Sequence, residues 1–173
     1  MPNESAGSGE AADLIETLAN HRRFLRFTVK DLSDEQAAQR TTVSELCLGG
    51  LIKHVSMVEQ NWVNFILEGP KAMGGGGGPE ELAAHNAGFQ MAPGDTLEGL
   101  LAEYDQVASR TAEVVNGLSD LDQSQPLPEA PWFPPGARWT ARRTLLHVLA
   151  ETSQHAGHAD IIREALDGQK TMG

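Results

Sequence analysis

The sequence predicts an all-α protein, folded as a four-helix bundle with long loops between helices 2 and 3 and between helices 3 and 4. No stretch shows the sustained alternation of β-branched and polar residues that is typical of strands. Four segments instead place apolar residues at the repeat of a helix with one buried face. Four amphipathic helices without strands bury those faces in an antiparallel bundle. We therefore expect residues 1–173 to form one domain, which suits their number.

The first predicted helix covers approximately residues 10–32, and we expect residues 1–9 before it to be disordered. Apolar residues recur along it at the helical repeat, while Arg22 and its basic neighbours are predicted to supply polar surface. Ser33 is followed three residues later by Gln36, which is the pattern of a capping box. A short helical turn is therefore predicted over residues 35–39.

The second predicted helix begins near Thr42 or Ser44. Thr42 and Glu45 have the spacing of another capping box, and an apolar stripe follows them. The helix is predicted to end at Glu68, because glycine and proline come next.

A long connection, residues 70–95, follows the second helix and contains five consecutive glycines at 74–78. Ordering so many glycines costs much backbone entropy, so this connection is predicted to be flexible. Asp95 and Thr96 are suited to cap the start of the third helix, which is predicted to close at Gly117.

The loop before the last helix contains five prolines within residues 125–138, which exclude a regular helix there. We expect a stiff, ordered loop anchored by Trp132, Phe133 and Trp139. The last helix is predicted over residues 140–166, where an aspartate and a glycine follow.

Composition excludes several classes of function. The 13 Lys and Arg residues against 24 Asp and Glu residues give a net charge of −11. This charge argues against nucleic-acid binding and against docking on anionic lipid, and no apolar run is long enough to cross a membrane. The N-terminus lacks the pattern of a signal peptide, and a single cysteine, Cys47, excludes an intramolecular disulfide. We therefore expect a cytoplasmic protein.

Histidines and a glutamate on the last predicted helix indicate a metal site. His147, Glu151, His155 and His158 are spaced by four, four and three residues, which keeps them on one helix face. Pairs at i and i+4 can bind one ion. His54 lies in the apolar stripe of the second helix, so its side chain should point inward. His54 together with Glu151 and His155 would give three ligands and leave an open position for water or substrate.

Each of these residues also has a simpler interpretation. A histidine on an apolar face, such as His54, is more often a hydrogen-bonded core residue than a ligand. His155 and His158 are also consistent with a solvated stripe, and His147 with a core residue or a group that supports the ligands. Cys47 is more simply an inert buried thiol than a reactive one.

Three arginines, Arg142, Arg143 and Arg163, are further candidates. Arg142 and Arg143 lie in the first turn of the last helix, where the helix dipole disfavours cations. A salt bridge to an acidic neighbour is the simpler explanation for these residues, and a ligand carboxylate or phosphate is the functional one.

Two segments, LGGLIKHVSMVEQNW and PWFPPGARWTARRTLLHVLAETSQHAGHADIIREALDG, resemble the DinB-like (DinB/YfiT) superfamily. The closest resemblance is to its branch of mycothiol-dependent enzymes, and it extends over about residues 13–173. It implies an up-down-down-up four-helix bundle. It also implies a divalent metal, zinc or nickel, bound by His54, Glu151 and His155. His158, one turn later, leaves the third ligand open between Glu151 and His158, and Glu151 is favoured by its register.

The resemblance implies a metal-dependent thiol-transfer enzyme of the S-transferase or isomerase type. Its partners would be a small-molecule thiol, mycothiol or a similar one, and an electrophilic substrate. We expect His158 or His147 to move the proton, and Arg143 and Trp132 to contact the cofactor. One alternative is a metal-binding stress or binding protein without turnover, acting as a homodimer. Another is a small helical protein without a metal.

Overall fold

The computed structural model describes residues 6–73, 83 and 86–171, and these residues form the predicted all-α bundle. A 3₁₀ helix, Gly69–Met73, extends the end of the second long helix. The helices are α1 (Ala6–Phe27), α2 (Asp34–Ala37), α3 (Leu48–Glu68), α4 (Leu97–Gly117) and α5 (Ala141–Asp167), and a small antiparallel ribbon contains β1 (Ser124–Pro126) and β2 (Arg138–Thr140).

The first and last helices run parallel to each other. Near the start of both, Arg142 Nη2 donates to Glu10 Oε2 at 3.0 Å. Near the end of both, Arg163 Nη1 donates to the carbonyl of Thr28, just beyond α1, at 2.8 Å. Since equivalent ends are in contact, α1 and α5 point the same way.

The other two long helices, α3 and α4, also run parallel. Lys53, early in α3, pairs with Asp95 just before α4 (2.8 Å), and Glu59, farther along α3, accepts a hydrogen bond from Thr111, farther along α4. Late in α3, Trp62 stacks on Trp139 just before α5, so α3 and α5 are antiparallel. The order is therefore up-down-down-up, and parallel α3 and α4 need a connection that returns along the bundle. This requirement explains the length of the segment between α3 and α4.

Cap chemistry accounts for four of the helix ends. Ser33 and Gln36 form the predicted capping box, and Thr96 and Thr140 each accept a hydrogen bond from a backbone N–H of the helix that follows. Gly168 ends α5 in the left-handed conformation with φ 82°.

The predicted start of the second long helix near Thr42 or Ser44 is wrong. These hydroxyls accept hydrogen bonds from backbone N–H groups only two residues later, which closes turns instead of capping a helix. Helix α3 instead begins at Leu48, with Cys47 at its N-cap.

Helix α1 also differs from its predicted bounds of 10–32. It begins at Ala6 and ends at Phe27, and Asp31, with φ 60°, lies in the turn beyond it. The predicted disorder of residues 1–9 concerns, in part, residues 1–5, which lie outside the described residues. The glycine run 74–78, predicted to be flexible, also lies outside them. Among the described residues, no helix has both the length and the apolar character needed to cross a bilayer.

The prediction that Arg22 supplies polar surface is wrong. Arg22 is 8% exposed and donates two hydrogen bonds to the carboxylate of Glu59, which has no exposed surface. Thr111 donates a third hydrogen bond to the same carboxylate. A charged pair therefore lies in the bundle interior, where α1, α3 and α4 meet.

Candidate metal centre

Three side chains from two helices converge in the bundle. One ligand atom each from His54, Glu151 and His155 can be chosen so that all three lie within 4.8 Å of one another. His54 and His155 are buried, and Glu151 is partly exposed. We call these three residues the ligand cluster. Because Glu151 is the partly exposed member, the ligand cluster is open to solvent on the side of Glu151.

The helical repeat of α5 places Glu151 between two histidines. Glu151 Oε2 lies 3.6 Å from His155 Nε2, and Glu151 Oε1 lies 3.8 Å from His147 Nε2. The hydrogen bond from His155 holds the pKa of Glu151 below its usual range. Burial opposes this effect, while Coulombic interactions with His147, His155 and His54 add to it. The carboxylate is therefore ionised at neutral pH, which is the state that binds a cation.

The ring of His54 is fixed between two other rings. Its centroid lies 4.9 Å from that of His155, at a steep interplanar angle of 75°. On another side, Phe89 stacks on it with centroids 3.8 Å apart and an angle of 22°. Phe89 belongs to the segment that leads into α4, and its ring covers the ring of His54.

Two glycines of α3 allow this segment to approach. A Cβ on Gly50 would lie 1.9 Å from the carbonyl oxygen of Phe89, and a Cβ on Gly49 would lie 2.3 Å from the sulfur of Met91. The thiol of Cys47 also contacts the Phe89 carbonyl, at 3.8 Å. Because positions 49 and 50 have no side chains, this segment can pack against α3 closely enough for Phe89 to stack on His54. The sequence analysis did not identify this role, although the Gly-Gly pair inside a helix was a signal for close packing.

His147 lies beside the ligand cluster and contacts a stacked pair of indoles. Trp62 and Trp139 are stacked on each other at 4.7 Å, and the imidazole meets both edge-on, at 4.8 and 5.1 Å. Burial lowers the pKa of His147, the charge of Arg143 lowers it further, and Glu151 opposes both effects. His147 is therefore neutral at neutral pH and can accept a proton. The sequence analysis did not identify Trp62 and Trp139 as site residues, because apolar periodicity alone does not distinguish residues of the hydrophobic core from residues that line a site.

His158 lies next to the ligand cluster without belonging to it. Its Nδ1 lies 3.3 Å from Nδ1 of His155, whereas Nε2 of His155 is the atom that faces Glu151. Of the two residues considered for the third ligand, Glu151 is the one in the cluster.

The two neighbouring arginines at the start of α5 have different surroundings. Arg142 pairs with Glu10 and Asp122. The guanidinium of Arg143 instead lies over the ring of Trp139, 5.0 Å from its centroid, and no carboxylate of the described residues is within ion-pair distance of it. Of these two arginines, only Arg142 has its positive charge neutralised by carboxylates of the described residues.

The other sequence candidates lie farther from the cluster or are used structurally. Trp132 is 66% exposed and packs edge-on against Phe133, which in turn packs against Trp139. Arg163 is buried, pairs with Asp167 and donates to backbone carbonyls beyond α1. Cys47 is buried, as expected for an inert thiol.

The donor set of the ligand cluster fits a divalent metal. Two imidazole nitrogens and one carboxylate oxygen form a set that both zinc and nickel accept. Three protein ligands with a partly exposed side also match sites that keep a coordination position for water or substrate. The cluster residues therefore fit the metal that the resemblance implies.

Comparisons with known proteins agree with this fold. A crystal structure of a conserved protein from Enterococcus faecalis aligns with a TM-score of 0.62 and 14% identity, covering 90% of this chain and 96% of that one. At this identity the similarity concerns the fold alone. No curated protein matches the chain significantly. The family model described as mycothiol-S-transferase matches residues 13–168. Because this match spans most of the chain and the bundle agrees with it, the chain belongs to the mycothiol S-transferase family, a DinB-like family.

Proposed function

We propose that the protein is a metal-dependent mycothiol S-transferase. Its divalent cation would be bound by His54, Glu151 and His155. The observation that carries this proposal is the convergence of three suitable ligand atoms, within 4.8 Å, from two helices of the bundle. The family to which the chain belongs supports mycothiol as the thiol.

The residues around the cluster have complementary roles in this proposal. A bound divalent cation supplies positive charge that lowers the pKa of a thiol and stabilises its thiolate. The neutral imidazole of His147 accepts the thiol proton, and the two stacked indoles hold this ring beside Glu151. The sulfur then attacks an electrophilic carbon of the second substrate, and the displaced group leaves with the bonding electron pair.

Arg143 is proposed to bind a polar or anionic part of the thiol or of its partner. It lies eight residues before Glu151 on α5, which corresponds to about 12 Å along the helix. Its guanidinium has an aromatic support, Trp139, and no carboxylate neutralises it in the described chain. Trp132, an exposed indole on the neighbouring loop, is proposed as an outer contact of the same ligand.

Metal analysis and a thiol-transfer assay test the proposal together. The purified protein should contain about one divalent metal per chain and should join mycothiol to an electrophile faster than the uncatalysed reaction. His54→Ala should lose both properties, because a buried ligand from α3 is removed. His21→Ala is the matched control, since His21 lies on α1 and packs on Phe24.

Two outcomes would count against the proposed function. One is transfer at the parental rate after the metal has been stripped with a chelator. The other is metal binding without any transfer above background, which would favour a binding protein. A cytoplasmic location, a homodimer and the choice between zinc and nickel stay predictions.

A further inference from the structure

The two ring nitrogens of His155 face different residues. Nε2 faces the carboxylate of Glu151 at 3.6 Å, while Nδ1 faces Nδ1 of His158 at 3.3 Å. Because a neutral imidazole carries one N–H, the partner of one nitrogen decides what the other can do. His158 is therefore placed to influence the ligand nitrogen without touching the ligand cluster.

We propose that His158 is a positioning residue that holds His155 with the lone pair of Nε2 directed toward the cation. This inference rests on the metal site of the proposed function. When a cation is bound, Nε2 of His155 must be free of its proton, so the proton is on Nδ1. His158 Nδ1 then accepts that N–H, and the proton of His158 is on its own Nε2.

The same pair also suits the metal-free protein, with the hydrogen bond reversed. His155 Nε2–H then donates to Glu151, and its Nδ1 accepts a hydrogen bond from His158 Nδ1–H. A carboxylate or a backbone carbonyl in the place of His158 could only accept. An imidazole keeps the hydrogen bond in both states, so His155 can change its tautomer without leaving a buried nitrogen unpaired.

The inference assigns roles to particular atoms. Partners of the outer nitrogen of a metal-binding histidine raise its basicity and fix its orientation, and their loss weakens metal affinity about 10- to 100-fold. His158 lies three residues after His155, one turn farther along α5 and partly exposed. Its Nδ1 faces His155 and it lies outside the ligand cluster, so it does not compete for the ion.

Calorimetric titration with Zn²⁺ tests this inference, using the full chain and three variants. His158→Ala should weaken Zn²⁺ binding about 10- to 100-fold. His158→Asn should keep most of the affinity, because its side-chain oxygen can occupy the place of Nδ1 and accept the same N–H. Gln154→Ala, at an exposed position of the same helix, is the matched control and should bind like the parent.

Nitrogen-15 spectra of the histidine rings give a readout that is independent of affinity and of activity. In the parent, Zn²⁺ should move the proton of His155 from Nε2 to Nδ1. Parental Zn²⁺ affinity in His158→Ala would overturn the inference, and so would an equal loss in His158→Asn, which would indicate ring packing instead of a hydrogen bond. If the parent does not bind Zn²⁺ at all, the metal site and this inference both fail. Weakened binding in His158→Ala without thiol transfer in the parent would refute the proposed function alone.

Discussion

Glu59 is a carboxylate without exposed surface, and Arg22 is the residue that makes its burial tolerable. The Arg22 Nε–Glu59 Oε2 hydrogen bond measures 3.0 Å, a second one joins the same two groups, and Thr111 donates to Glu59 as well. A buried charge without its partner is costly, whereas a paired one contributes little net stability. The pair therefore makes folding depend on both partners together.

Removing only the arginine should destabilise the protein strongly. Arg22→Met leaves the Glu59 carboxylate buried and unpaired, so the free energy of unfolding should fall by about 3–5 kcal/mol. Urea unfolding followed by circular dichroism measures this change. Arg23→Met, at the exposed neighbouring position, should change stability by less than about 0.5 kcal/mol.

A double variant separates charge from packing at this position. Arg22→Met combined with Glu59→Leu should regain most of the lost stability, because no buried charge is left. A double variant as unstable as Arg22→Met alone would show that shape, and not charge, dominates.

The sequence predicted the ligand cluster better than this buried pair. His54 is flanked by apolar residues at helical spacing, and Glu151 and His155 are four residues apart. Helical periodicity was therefore enough to predict that these side chains face one another from two helices. Arg22 and Glu59 carry no such signal, because charged residues are rarely buried. Which cation faces Glu59 depends on how α1 packs against α3, and local spacing does not show this.

At the scale of elements, α3 does more than supply His54. Its first turn contains Gly49 and Gly50, against which residues 89–91 pack. Lys53, one turn later, pairs with Asp95 and so holds the end of the same segment. The start of α3 therefore fixes the chain that places Phe89 on His54.

Alanine substitutions at the two glycines should have opposite consequences. Both gain about 1 kcal/mol of helix propensity, so their difference reports the contacts alone. The new Cβ of Gly50→Ala meets the backbone of Phe89, which has to move, and we expect a net loss of about 1–3 kcal/mol and weaker Zn²⁺ binding. Gly49→Ala meets mainly the flexible side chain of Met91 and should be tolerated.

Chemical unfolding and Zn²⁺ titration of the two variants measure these effects. Equal stability and equal Zn²⁺ affinity of the two variants would refute the role assigned to Gly50. An unstable Gly50→Ala that keeps parental Zn²⁺ affinity would show that the contact between Phe89 and His54 does not support the ligand.

Helix ends were predictable where a side chain caps the backbone, and not where it closes a turn. Ser33 and Thr96 cap helices as their patterns predict. Thr42 has the same local pattern but bonds a nearer N–H group, which only the folded chain reveals. The ribbon of β1 and β2 has three residues in each strand, too few for alternation to be recognised.

At the scale of the whole molecule, the ligand cluster connects α3 to α5, which are antiparallel neighbours. A cation that binds the folded state and not the unfolded one stabilises it by mass action. At a free Zn²⁺ concentration about 100 times the dissociation constant, this stabilisation amounts to about 2.7 kcal/mol. For a domain of this size the midpoint of thermal unfolding should rise by about 5–10 °C.

Thermal unfolding with Zn²⁺ or with a chelator measures this shift. His54→Ala should unfold at the same temperature in both conditions, because one of the two connected helices no longer provides a ligand. If the midpoint of thermal unfolding of the parent protein did not change with Zn²⁺, this result would contradict a metal site that connects the two helices.

The separation of the ligands along the chain also determines when the site can form during synthesis. His54 leaves the ribosome early, while Glu151 and His155 follow roughly a hundred residues later, at the end of a bundle whose first and last helices lie side by side. A nascent chain that stops before α5 contains one of the three residues of the ligand cluster and an uncovered apolar face. In the proposed site, the cation would therefore be bound only after α5 has been synthesised.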